Sequence, residues 1–149
     1  MITSPSGAAG CGGAVGTVRS AVRALNDGDI DGYFGSFDPT CPRWISGFAH
    51  PLALRDVRDG FEQLRAGFAG LHLGEDLLFG DERFVCARWR MTGRHEGEYF
   101  GVAPTGLSIE VETCEIYEVA DDLVVASWVY GDVLAQLLRQ IGDKRGDAT

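Results

Sequence analysis

The chain has 149 residues, 45% of them hydrophobic and 23% charged, the profile of one globular domain that can bury about 70% of its unfolded surface without disulfide or metal staples. The 13 Lys and Arg stand against 22 Asp and Glu, a net charge of -9, which excludes the clustered cations of a nucleic-acid surface. No apolar run reaches the roughly 20 residues of a membrane span, and the start has no cationic segment leading into an apolar one; a cytoplasmic location is expected.

Residues 1–14 are small and Gly-rich, read as a flexible arm; residues 15–142 carry the domain and 143–149 a polar tail. From Val15 to Asn26, Val15, Val18, Val22 and Leu25 fall at helical spacing. Asp27-Gly28 breaks this helix, and Asp29 can cap a short second one in which Ile30, Tyr33, Phe34 and Phe37 share a side. Asp38 to Pro51 reads as loop with a short strand through Trp44-Ile45. Val57, Phe61, Leu64 and Phe68 then mark a third helix, closed by Gly70.

Beyond Gly70 the period changes to two. Strands are predicted at Leu73–Phe79, Phe84–Thr92, Leu107–Val119 and Leu123–Tyr130, the last two joined by a tight turn at Asp121-Asp122. A helix over Val133–Ile141 ends the domain, with Gly142 as its stop. Helices first and long strands later predict an α+β domain, helices covering one side of an antiparallel sheet.

Cys11, Cys41, Cys86 and Cys114 form no C-x-x-C pair, and Cys86 and Cys114 read as reduced core thiols. His50, His72 and His95 form no i, i+3 or i+4 pair, so no metal site is expected. His72 is read as structural.

Four stretches between Val18 and Gly142 carry a family resemblance. They are Asn26-Asp27-Gly28-Asp29; Arg83-Phe84-Val85-Cys86-Ala87-Arg88-Trp89-Arg90-Met91-Thr92-Gly93; the connection from His95 through Gly97, Gly101 and Pro104-Thr105-Gly106; and Trp128-Val129-Tyr130-Gly131-Asp132 followed by Leu137-Leu138-Arg139-Gln140-Ile141-Gly142. In this order the chain resembles the SnoaL-like polyketide cyclase family of the nuclear-transport-factor-2-like superfamily. The resemblance implies a cone: a curved antiparallel sheet with N-terminal helices on its concave side, a pocket between them, and a short C-terminal helix. It also implies a homodimer, a small polyketide-like substrate, and aldol-type ring closure without metal or cofactor through an acidic residue matching Asp132. An epoxide-opening or hydroxylation-associated enzyme, or a non-catalytic ligand-binding scaffold, are the alternatives on the same fold.

Strict alternation along Leu123–Asp132 puts Val124, Ala126, Trp128, Tyr130 and Asp132 on one side and Val125, Ser127 and Val129 on the other. If the first row faces a cavity, low dielectric raises the Asp132 pKa and suits it to take a proton from a methylene between carbonyls. Asp132 also precedes a helix and is a preferred N-cap type. His50, before Pro51, is the candidate second acid/base. Trp128, Tyr130, Trp89, Trp44, Phe34, Phe61, His95 and Glu112 are candidate substrate contacts, with Glu112 or Glu115 as the carboxylate that shapes Asp132 electrostatically. Val125 and Val129 are expected outward, under a dimer partner.

Overall fold

The computed structural model describes residues 13–147, with side chains as far as Gly142; the expected arm lies outside it apart from Gly13 and Ala14. Those two open helix α1 (Gly13–Asn26), which buries Ala14, Val15, Val18, Ala21 and Val22 along one stripe. The break after Asn26 is made by Gly28, at φ +87, a left-handed conformation that costs glycine little. The Asp29 carboxylate then accepts the Gly32 N–H at 2.9 Å and caps α2 (Ile30–Phe34).

Strand β1 (Arg43–Ile45) precedes α3 (Leu54–Gly67). Phe68 does not extend the α3 stripe: its backbone is already extended, and α3 passes directly into β2 (Phe68–Gly80). Next come β3 (Phe84–His95), β4 (Ser108–Ala120), β5 (Leu123–Tyr130) and α4 (Val133–Asp147). Asp121 and Asp122 turn the β4–β5 hairpin at φ +52 and +64. Helix α4 runs through Gly142, past the expected stop.

The sheet order is β1-β5-β4-β3-β2. Its long strands pair antiparallel, as expected, but β1 joins β5 in parallel, so the sheet is mixed. Residues facing each other across a ladder share a face, and the odd-numbered positions of β3 and β4 form the concave one: Val85, Ala87 and Trp89 opposite Tyr117, Glu115 and Thr113. There Val85, Ala87, Trp89, Tyr117 and Val119 pack with α1 and α2 in one core.

A second core joins Phe68, Met91, Ile109 and Val111 to Leu137 and Ile141 of α4, both fully buried. Burying such a side chain is worth about 1.5–3 kcal/mol, so these two anchor α4 to the sheet.

Strand β5 departs from strict alternation. Glu118 faces Ala126 while Val119 faces Val124, so Val125 is an extra residue, a β-bulge. Val124 points inward ahead of the bulge, and Ser127 and Val129 point inward after it, at 0% and 5% exposure. Val129 is therefore core rather than dimer surface. Cys86 and Cys114 lie half-buried on the convex face with their sulfurs 4.0 Å apart, outside the core.

Candidate functional site

The bulge decides where the expected site residues stand. Trp128 pairs with Ile116 and with Trp44 of β1, and Tyr130 with Cys114. All belong to the convex face, where Trp44 is 40% and Tyr130 49% exposed. Asp132 is exposed too, and its Oδ1 accepts the Ala135 N–H at 3.0 Å. It caps α4 in water instead of ending an inward row.

Glu112 likewise stands outside the core. It is exposed on the convex face, 3.0 Å from Arg88 and 3.3 Å from Arg90 within a ladder that includes Asp76 and Glu110. The buried carboxylate is that of Glu115. Arg43 Nη2 donates to both its oxygens at 2.9 and 3.3 Å, and the Tyr117 hydroxyl to one of them at 3.1 Å. The Trp89 indole N–H donates in turn to the Tyr117 oxygen at 2.8 Å.

Burial pushes the Tyr33 phenol up to about 12, with Arg43 pulling it down and Glu115 adding to the rise. Burial and then Glu115 hold Tyr117 well above its ordinary value. Burial opposes the Arg43 charge, but Glu115, Tyr33 and Tyr117 outweigh it and raise its pKa. The network fixes the concave wall.

The cavity lies toward the other end of the cone. A cleft of about 320 Å³ opens between the end of α1, α2, α3 and the start of β2, inside the range of small-molecule sites. Leu25, Ile30, Phe61, Phe68, Leu71, Leu73 and Met91 supply its apolar lining, and Asp27 and Arg65 its charges. Asn26 secures its edge, with its amide nitrogen donating to the Leu73 carbonyl at 3.0 Å and its amide oxygen accepting the Leu73 N–H at 2.8 Å. A second cavity of about 410 Å³ shares Asn26, His72 and Leu73 and reaches Trp89, Arg19 and Glu75. Glu75 is held below its ordinary carboxylate value by its hydrogen bond to Arg19.

Of the expected substrate contacts, Phe61 lines the cleft and Trp89 the second cavity. Phe34 is buried in an aromatic cluster with Tyr33, Phe37 and Phe61. His50 is exposed in the loop after β1 and is not among the residues lining either cavity. His95 is fully buried beside Phe68. His72, Arg65, Asp27 and the Asn26 clamp line these cavities without having stood among the expected site residues; the nearest signal in the sequence is the Asn26-Asp27-Gly28-Asp29 break, which supplies two of them.

Among the described residues no group of three or more His, Cys, Asp and Glu could hold a metal, and no helix is long and apolar enough to cross a membrane.

Comparison with solved structures places the fold. AclR from Streptomyces galilaeus superposes with a TM-score of 0.77 at 24% identity, over 85% of this chain and 79% of that one. IdmH from Streptomyces antibioticus gives 0.70 at 23%, over 81% and 95%. A SnoaL-like polyketide cyclase from Agrobacterium tumefaciens gives 0.66 at 16%, over 85% and 96%. No curated protein sequence matches the chain. The family model described as SnoaL-like polyketide cyclase matches residues 16–141, and the chain belongs to that family.

Proposed function

We propose that the chain binds a polyketide-like small molecule in the cleft between α1, α3 and β2 and promotes closure of a ring in it, without a cofactor. The observation that carries this reading is the cleft: an apolar floor of Phe61, Phe68, Leu73 and Met91 with Asp27 and Arg65 also lining it, in a chain of this family.

A flexible chain folded against such a floor has its reacting carbons held together, and good alignment is worth about 7–11 kcal/mol of barrier. Asp27, exposed in the free protein but lining the cleft where Asp132 does not, is the carboxylate that can take a proton from an activated methylene once ligand excludes water from the cleft. Arg65 is the cation that can meet an acidic group of the ligand. Asp132, solvated and capping α4, takes no part in this route.

The test is product formation from linear poly-β-carbonyl substrates. Leu73→Trp, which fills the cleft, and Asp27→Asn abolish or strongly reduce closure if the reading holds, whereas unchanged closure in both overturns it. A non-catalytic ligand-binding role is the second reading, favoured by the solvated Asp132 and the fully paired Glu115; binding to the cleft with no turnover of any such substrate would select it.

A further inference from the structure

The ring of His95 is fully buried, yet its Nε2 has no hydrogen-bonding partner. The other nitrogen is accounted for. The Thr105 backbone N–H points at Nδ1 from 3.2 Å, and the Thr105 hydroxyl lies 3.0 Å from it while accepting the Leu107 N–H at 3.2 Å. A backbone N–H can only donate, so Nδ1 accepts, and the neutral ring carries its proton on Nε2. These contacts close the connection between β3 and β4 and explain a histidine at position 95, but they leave the Nε2–H unused. A buried donor in that state costs about 1–3 kcal/mol, and nearly all buried polar groups in folded proteins avoid it.

The surroundings of His95 lead to the cleft. Met91, Gly93 and His95 succeed one another on the inner face of β3, and Met91 lines the cleft. Gly93 adds no side chain to this row; Leu71 lies over it, 3.1 Å from where a Cβ would stand. Phe68 pairs with His95 across the β2–β3 ladder and stacks on its ring, centroids 5.2 Å apart and planes at 33°. Leu71 and Phe68 both line the cleft, so the His95 ring packs directly on a residue of the cleft wall.

We propose that the His95 Nε2–H is the carbonyl-recognising donor of the cleft, reached when a ligand displaces the edge of the Phe68 ring. The ligand class is an aryl or alkyl ketone whose oxygen enters between Phe68 and Leu71, with the hydrocarbon part on the apolar floor. A donor fixed by Thr105 and kept from water needs no reorganisation to meet such an oxygen, and its bond strengthens as the oxygen gains negative charge on enolisation. This inference rests on the cleft being the binding site.

The test uses the full-length wild-type protein, 15N-labelled, with 1-tetralone and its oxygen-free counterpart tetralin as probes. Imidazole 15N spectra of the free protein are expected to show His95 as the neutral Nε2–H tautomer. Tetralone is expected to bind about threefold to tenfold tighter than tetralin, the worth of one hydrogen bond, and to shift the His95 Nε2–H proton downfield; tetralin leaves that proton in place. If both probes perturb the amides of Phe61 and Leu73 but bind equally and leave Nε2–H unmoved, the inference falls and the cleft reading stands. If neither perturbs the cleft, both fall. A free-protein spectrum with the proton on Nδ1 overturns the inference without any ligand.

Discussion

Arg43 and Glu115 form an ion pair on the concave face of the sheet, Arg43 Nη2 lying 2.9 and 3.3 Å from the two carboxylate oxygens. The side chains are 14% and 6% exposed, and Arg43 comes from the short strand that pairs in parallel with β5. The pair therefore ties the edge of the sheet to its centre. Removing one partner strands a buried charge, so Arg43→Met should cost about 3–5 kcal/mol. Because the penalty comes from the orphaned partner, the double variant Arg43→Met, Glu115→Leu should recover much of the loss. Urea unfolding of the single and double variants checks this; a double variant as unstable as the sum of both singles contradicts it.

The same network sets an alkaline limit. Tyr33 is pushed up to about 12, first by burial, and Tyr117 is held above its ordinary value first by burial and then by Glu115. A phenol whose folded pKa exceeds its unfolded value near 10 stabilises the fold fully below pH 10, and that contribution is lost as pH rises toward 12. Stability measured by denaturant should fall over this window. A spectrophotometric titration should show phenolate absorbance from Tyr33 and Tyr117 only as the chain unfolds. Ionisation of all 4 tyrosines near pH 10 in the folded protein would contradict the network.

Asp132 separates a capping role from a catalytic one. Its carboxylate accepts the Ala135 N–H at 3.0 Å in water, so Asp132→Ala should lower stability by about 1 kcal/mol and Asp132→Asn by less, since Asn is an equally good cap. On the proposed route no proton passes through this side chain, so ring closure by the Asn variant should stay within about twofold of the wild type. A loss of closure in a fully folded Asp132→Asn protein would return the residue to the mechanism.

Asn26 holds the cleft edge with both ends of its amide, at 3.0 and 2.8 Å from Leu73. Asn26→Ala leaves the Leu73 N–H and C=O unpaired between α1 and β2, at a cost of about 1–3 kcal/mol. Hydrogen exchange should accelerate at Leu73, with affinity for tetralone falling alongside. Asn26→Asp keeps the acceptor but not the donor and should fall between the two. Unaltered exchange at Leu73 in the Ala variant would show that the clamp does not hold the edge.

Much of the architecture was legible because local chemistry and tertiary demand coincide. The Val15, Val18, Val22 stripe, the Asp29 cap and the Asp121-Asp122 turn each specify their element within a few residues of chain. The faces of β5 were not legible, because alternation assumes an unbroken ladder and the extra residue at Val125 inverts it. That single insertion moved Trp128, Tyr130 and Asp132 out of the expected row. Phe68 fits the helical stripe of Phe61 and Leu64 as well as it fits a strand, and the pairing with His95 settles the matter only across the sheet. The union of Arg43 with Glu115, 72 residues apart, leaves no trace in spacing, and neither does the cleft, which gathers residues from five elements.

A crystal structure of the protein with a bound aromatic ketone tests the location of the site most directly. Ligand density against Phe61, Phe68, Leu73 and Met91 is the expected result, with the ketone oxygen directed toward His95. Density seated instead against Asp132 and Tyr130 on the convex side would contradict the account.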